Sequence, residues 1–190
     1  MTSVIEDTRY ARRWFVAVLV LALAVRVFYL SYYSGMPDWD QLTVDNYYHH
    51  HWAQSIAGGN IWGDTTYFRA PFYVFCLGLL YALFGVSLWV GRMFGLVIGL
   101  GSIVMTYLLG KRIFNAKVGL LAALLQSIYP LMIYFECELL LDPLFTLLLQ
   151  LAVYRLILWH ERKTTKDAII TGLFLGLASI TRPTALIFIP

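Results

Sequence analysis

The sequence predicts an all-α integral membrane protein: a polytopic helical bundle of about five spans, with one more helix partly embedded at the outer surface. Three observations lead there. Of 190 residues, 60% are hydrophobic and 13% charged, whereas a water-soluble domain carries roughly a quarter charged residues. Ala70 to Gly91 and Met93 to Gly110 contain no charge at all. Lysines and arginines collect in short segments between apolar runs, which orients those runs in a bilayer.

About 20 residues of helix cross the hydrocarbon core, and windows of that length can be taken in order. Trp14 to Tyr33 follows Arg12 and Arg13 and continues without a small-residue cleavage pattern, so it reads as an uncleaved first span. An outer loop, Ser34 to Ala70, comes next. Within it Thr43 to Ala57 reads as a short helix, because Val44, Tyr47, Tyr48, His51, Trp52, Ser55 and Ile56 recur at helical spacing before a Gly58-Gly59-Asn60 stop. Its aromatic residues suit the headgroup region, where a ring buries its body and keeps its polar tip wet.

Pro71 to Phe84 extends about 21 Å as a helix, short of the roughly 30 Å core, and breaks at Gly85-Val86-Ser87. It is therefore expected to lie partly embedded on the outer face. Leu88 to Gly110, Val118 to Phe135, Pro143 to Trp159 and Ala168 to Pro190 supply the remaining spans. The last runs to Pro190 with no polar tail, so residues 1–190 are expected to be the N-terminal transmembrane module of a longer chain. No internal repeat or soluble linker divides it.

If Pro71 to Phe84 does not span, nine of the 14 basic residues fall on one side: Arg9, Arg12, Arg13, Lys111, Arg112, Lys117, Arg162, Lys163 and Lys166. That side is cytoplasmic by the positive-inside rule. Asp38, Asp40, Asp45, Asp64, Glu136, Glu138 and Asp142 then lie outside. Were the segment to span, two basic loops would face outward. Cys76 and Cys137 have no metal or redox spacing and read as packed thiols without a disulfide. No Gly-rich phosphate loop, Ser-His-Asp arrangement, zinc motif or nucleic-acid surface appears.

The outer carboxylates are the first candidates for chemistry. Asp45, opening the loop helix, suits deprotonation of an acceptor hydroxyl or a share in holding a divalent metal; capping or a first-turn dipole contact is its structural alternative. Asp142 precedes Pro143, the usual start of a helix with Asp as N-cap. Glu138, four residues earlier, would share a face with it if the turn were helical. Such crowded acids invite a metal or a raised pKa.

Arginines in apolar segments are costly unless paired or snorkelling. Arg69, Arg92 and Arg182 reach the outer level, where guanidinium groups suit a phosphate or pyrophosphate, a lipid headgroup or an outer carboxylate. Arg26 lies deeper and needs a partner, whereas Arg155 can snorkel inward. In His49-His50-His51 adjacent rings point different ways around a helix, so at most one or two serve one ion. His49, a turn after Asp45, is the metal-ligand candidate, against interfacial packing.

The order of these features resembles the N-terminal module of GT-C glycosyltransferases. It runs from Asp45-Asn46-Tyr47-Tyr48 and Ala53, through Tyr67-Phe68-Arg69-Ala70-Pro71-Phe72-Tyr73, Leu83-Phe84-Gly85, Gly91-Arg92 and Leu109-Gly110-Lys111-Arg112-Ile113-Phe114. It continues through Gly119 to Pro130, Glu138 to Phe145, Gly172 to Ala178 and Thr181-Arg182-Pro183. The sequence is most similar to the branch of dolichyl-phosphate-mannose protein mannosyltransferases and bacterial lipid A aminoarabinose transferases. The resemblance implies a multi-pass enzyme of the cell membrane, N-terminus cytoplasmic, that transfers a sugar with inversion from a polyprenyl-phosphate carrier to an acceptor on the extracytoplasmic face. The acceptor class, lipid, glycan or protein, stays open, and no nucleic acid is implied.

The resemblance further implies that Asp45 occupies the essential acidic position of the first outer loop, and that Asp142, with Glu138 nearby, matches the second. Tyr48 joins Arg69, Arg92 and Arg182 as a substrate-binding candidate. Many members carry a second acid where this chain has Asn46, which puts a two-carboxylate metal motif in doubt; a divalent metal remains a candidate cofactor through Asp45 and His49. Two competing readings belong to other classes. A transporter or flippase of a lipid-linked substrate would show related halves and charges near the midplane, whereas these acids cluster in outer loops; the other is a non-catalytic membrane subunit that binds a lipid or a partner.

Overall fold

A computed structural model describes residues 2–62 and 69–188. Asp64, the Tyr67-Phe68 pair, Pro190 and the side chain of Arg9 lie outside the described residues. All regular structure among the described residues is helical: α1 Thr2–Tyr33, α2 Val44–Ala57, α3 Phe72–Phe84, α4 Leu88–Ile113, α5 Ala116–Ser127, α6 Pro130–Cys137, α7 Asp142–Arg162 and α8 Thr165–Thr181, with 3-10 turns at Pro37–Asp40 and Pro183–Phe188. Ala11–Tyr33 of α1, together with α4 and α7, is long and apolar enough to cross a membrane, and α5 with α6 adds a fourth crossing if the pair counts as one span. The chain is an all-α, multi-pass membrane protein.

Local chemistry sets the boundaries. Ser87 caps α4 by accepting the Trp89 N–H at 3.2 Å, and Lys111 and Arg112 end the helix where its dipole favours cations. Asn115 accepts both the Lys117 and Val118 N–H groups at 3.0 Å to start α5. Gly85, at φ 89°, makes the turn between α3 and α4 that a residue with a Cβ rarely adopts.

Two predicted spans are interrupted. Val118 to Phe135 is not one helix: α5 ends at Ser127, α6 begins at Pro130, and their axes meet at 59°. Pro130 has no N–H to give, and its ring excludes the carbonyl a turn earlier. That carbonyl, of Gln126, accepts the Tyr129 N–H at 3.3 Å, and the Ser127 carbonyl at the end of α5 accepts an N–H from Arg26 at 3.1 Å. Likewise the window Ala168 to Pro190 holds α8 only to Thr181, where Arg182 turns extended ahead of Pro183. The second outer turn also shortens, because α6 runs through Cys137.

α4 is the hub, touching α1, α3, α5, α6 and α7. Small residues permit the approach: a Cβ on Gly95 or Gly99 would overlap Glu136, and one on Gly110 would lie 2.8 Å from the Gly119 backbone. Glu136 is thereby seated against α4, where Arg26 meets it with Nε at 2.5 Å and a second N–H at 2.8 Å. Both side chains are buried. Arg26 thus finds the partner its depth demands.

Four polar side chains from three helices close a second internal network. Ser102 donates to Gln150 at 2.9 Å, Gln150 to Thr106 at 2.9 Å, Thr106 to Gln126 at 2.5 Å, and Gln126 back to Ser102 at 2.8 Å. Each member gives one hydrogen bond and receives one, so the ring joins α4, α5 and α7 without stranding a polar group.

The two ends of the bundle differ in charge. Phe15 stacks on Tyr107 at 4.1 Å, Arg112 pairs with Glu161, and Arg155 lies 3.6 Å from Asp167. These contacts gather the start of α1, the α4–α5 turn and the α7–α8 turn, with their lysines and arginines, at one end. At the other, Leu30, Trp39 and Cys137 form a small cluster, and α2 packs on α3 through Trp52, Ala53, Tyr73, Val74 and Leu77. Asp45, Glu138 and Asp142 belong to this second end.

Candidate functional site

The carboxylate end is assembled around the start of α2. Thr43 caps the helix, and its N–H donates to Asn46 Oδ1 at 2.6 Å. The Asn46 amide nitrogen donates in turn to Glu138 Oε2 at 2.8 Å, while Tyr33 donates its hydroxyl to Glu138 Oε1 at 2.7 Å. One buried carboxylate therefore ties the end of α1, the start of α2 and the α6–α7 turn together. That turn is not helical, so Glu138 and Asp142 do not share a helical face as their spacing allowed.

Asp45 does not cap α2. Its carboxylate meets Arg69 at 2.5 Å, with both side chains more than a third exposed. Asp142 opens α7, and its carboxylate pairs with Arg182 across 40 residues, the Arg182 guanidinium lying 5.9 Å from the Phe145 ring. Two half-exposed carboxylate–guanidinium pairs thus stand at this end.

His49 lies between them electrostatically, feeling Asp45, Arg69 and Asp142. Its Nδ1 is 2.8 Å from the Leu139 carbonyl. A carbonyl only accepts, so Nδ1 carries the hydrogen and Nε2 keeps its lone pair. Among the described residues Nε2 has no hydrogen-bond partner, and the ring meets Tyr73 edge-on at 5.1 Å and Tyr48 at 6.1 Å. Burial pushes the imidazole pKa down, more than the Leu139 carbonyl and Asp45 push it up, so the ring is neutral. The other two histidines point elsewhere: His50 Nδ1 is 2.8 Å from the Tyr81 hydroxyl, and His51 packs on Tyr47 at 4.1 Å.

Arg92 reaches this end but is walled in, at 1% exposure. Nε donates to the Cys137 carbonyl at 3.0 Å and one terminal nitrogen to the Trp39 carbonyl at 2.7 Å. Its guanidinium lies 3.6 Å from the Trp39 ring centroid and 5.1 Å from that of Tyr33. The other terminal nitrogen has no hydrogen-bond partner among the described residues. Tyr48 is half-buried against Trp52, 5.5 Å between centroids. Among the described residues no three His, Cys, Asp or Glu side chains converge to hold a metal; of the candidate pair, His49 offers Nε2, and Asp45 is engaged by Arg69.

Asn46, Tyr33, Trp39 and the Leu139 carbonyl were not singled out by the sequence. Only Asn46 carried a signal, its place beside Asp45. The others act through backbone groups or across long separations.

Fold and site together define a multi-pass helical membrane protein that gathers carboxylates and guanidinium groups at the end opposite its basic turns. The chain belongs to the dolichyl-phosphate-mannose-protein mannosyltransferase family, whose profile matches residues 69–190. It is therefore a membrane glycosyltransferase of GT-C type, and the family draws on a lipid-linked sugar. The matched region holds Arg69, Arg92, Glu138, Asp142 and Arg182; Asp45, Asn46, Tyr48 and His49 precede it. No curated protein and no solved structure matches the chain.

Proposed function

We propose that residues 1–190 are the N-terminal transmembrane module of an enzyme that moves a sugar from a polyprenyl-phosphate carrier to an acceptor hydroxyl on the extracytoplasmic face, with inversion. The observation that carries this reading is the Asp45–Arg69 pair, a carboxylate and a guanidinium 2.5 Å apart and open to solvent at the end away from the basic turns. The positive-inside rule assigns that end to the extracytoplasmic side, with the N-terminus in the cytoplasm of a cell-membrane protein.

The chemistry needs little from the protein, because a polyprenyl phosphate is already an adequate leaving group. Asp45 takes the proton of the acceptor hydroxyl. The hydroxyl oxygen attacks the anomeric carbon from the face opposite the phosphate, and the carbon–oxygen bond to phosphate breaks with its electron pair leaving on the phosphate. Arg69 and Arg182 receive the phosphate charge in bidentate fashion. An exposed ion pair is worth about 0–1 kcal/mol, so substrate can part Asp45 from Arg69 at small cost. Asp142 is the second acid, held by Arg182. Glu138, with both oxygens engaged, positions α2. Arg92 supports the site from beneath, and Tyr48 offers a ring to the sugar or carrier.

Membranes containing the full-length protein, given a panel of polyprenyl-phosphate sugars, test the reading by mass spectrometry of the donor and NMR of the product anomer. Consumption of a donor with inverted product is expected. No donor consumed by properly inserted protein would point to a transporter or lipid-binding subunit, and a retained anomer would overturn the single-displacement mechanism.

A further inference from the structure

Among the described residues, His49 Nε2 is a buried acceptor that no step of the mechanism uses. His49 is 1% exposed, and its Nδ1–H is fixed on the Leu139 carbonyl at 2.8 Å, so the tautomer cannot be exchanged to suit another partner. Nε2 is left as a lone-pair acceptor with no hydrogen-bond partner among the described residues. Buried acceptors are almost always satisfied, and those that are not ask for an explanation. Packing gives none here, since the ring contacts among the described residues, Tyr73 at 5.1 Å and Tyr48 at 6.1 Å, are both edge-on aromatic contacts that offer Nε2 no hydrogen bond.

Position supplies one. His49 follows Asp45 by one helical turn, which puts both on one side of α2, and it lies within electrostatic reach of Asp45, Arg69 and Asp142. Its neutrality keeps it from competing with the two guanidinium groups for phosphate and fits it to a neutral donor instead. A fixed lone pair takes a metal ion or a hydrogen-bond donor; with Asp45 engaged by Arg69 and no third metal-capable side chain converging among the described residues, a hydroxyl is the partner that a sugar-transfer site supplies.

We propose that His49 Nε2 is a hydroxyl-binding subsite that accepts one hydrogen bond from a hydroxyl of the bound substrate, on the donor sugar or on the acceptor. This rests on the glycosyl-transfer reading. It gives α2 two tasks a turn apart, with Asp45 taking the reacting proton and His49 fixing the orientation of the group that carries a hydroxyl.

Two variants separate the roles of the ring. His49→Asn places an amide N–H near the position of Nδ1, so the bond to Leu139 survives and the acceptor at Nε2 is lost. His49→Gln extends an amide oxygen to the Nε2 position. In the full-length enzyme, His49→Asn is expected to lower kcat/KM about tenfold, the scale of one neutral hydrogen bond, with thermal stability unchanged, and His49→Gln to recover most of it. Loss in both transfer and acceptor-free donor hydrolysis identifies a donor-sugar hydroxyl; loss in transfer alone identifies the acceptor. Full activity of His49→Asn in an enzyme that transfers normally would overturn the subsite and leave the glycosyl-transfer reading standing. If wild type transferred nothing, that reading would fail by itself. An activity-independent measurement then decides the subsite: 15N-histidine NMR of the protein in nanodiscs, titrated with polyprenyl-phosphate mannose. A shift of the His49 Nε2 resonance supports the subsite and assigns it to the donor sugar, and a resonance unmoved both by the donor and by a hydroxyl-bearing acceptor added after it rejects it.

Discussion

Asn46 and Glu138, 92 residues apart in sequence, meet through a 2.8 Å hydrogen bond that fixes the rotation of α2 about its axis. Because Asp45 is the residue before Asn46, this bond also sets where the Asp45 carboxylate points. Tyr33 completes the clamp from α1. Asn46 acts here as an amide donor, and the buried Glu138 is what it serves.

Replacing Asn46 by Asp therefore sets two carboxylates against each other in a buried place. The pair is tolerated only by sharing a proton, so the pKa of one is raised in the folded state. A raised folded pKa means stability present at low pH and lost as pH rises through that value. Asn46→Asp should melt several degrees below wild type at pH 8 and approach it near pH 5, read by thermal unfolding in detergent. A deficit independent of pH would contradict the clamp.

The buried Arg26–Glu136 pair makes a sharper stability prediction. Removing one partner leaves the other charged and alone, at a cost of about 3–5 kcal/mol. Arg26→Met and Glu136→Leu should each unfold in milder denaturant than wild type, and the double variant should recover part of the loss. Single variants as stable as wild type would mean that the pair does not hold α1 to α6.

Gly99 tests the same junction sterically. An added methyl there overlaps the Glu136 carboxylate, whereas one on Gly172 meets nothing within 4 Å. Gly99→Ala should reduce folded yield strongly. Gly172→Ala should be neutral or gain up to about 1 kcal/mol from helix propensity. Comparable behaviour of the two would remove Glu136 from its seat.

The polar ring of Ser102, Gln150, Thr106 and Gln126 behaves as a unit. Gln150→Leu or Gln126→Leu should each cost about 0.6–1.7 kcal/mol, and the double variant clearly less than the sum, because opening the ring once frees both ends. Denaturation in mixed micelles measures this, and strict additivity would count against a closed ring.

Much of the fold was legible locally. The expected Thr43 to Ala57, Pro71 to Phe84 and Leu88 to Gly110 correspond to α2, α3 and α4 within three residues at each end, because hydropathy, helical spacing and glycine stops act over one or two turns. The broken third crossing was not legible as a break. Pro130 was visible, but the bend also depends on Arg26 answering the Ser127 carbonyl from 101 residues away. The site divides the same way. Asp45, Asp142 and the arginines stood out by charge in an apolar chain, whereas the pairing of Asp45 with Arg69, Asp142 with Arg182 and Glu138 with Asn46 is a product of topology. Arg92 read as an outer-level candidate for phosphate and is instead enclosed by Trp39, Tyr33 and two carbonyls, none of which its sequence neighbours announce.

The central claim is that Asp45 takes the acceptor proton, and one comparison tests it most directly: the rate of sugar transfer by full-length wild type and Asp45→Asn at matched insertion and donor concentration. Loss of a general base costs about 10²–10⁴-fold, so transfer should fall at least a hundredfold while the variant still binds donor, since Arg69 is freed rather than removed. Transfer at the wild-type rate by Asp45→Asn would contradict the assignment.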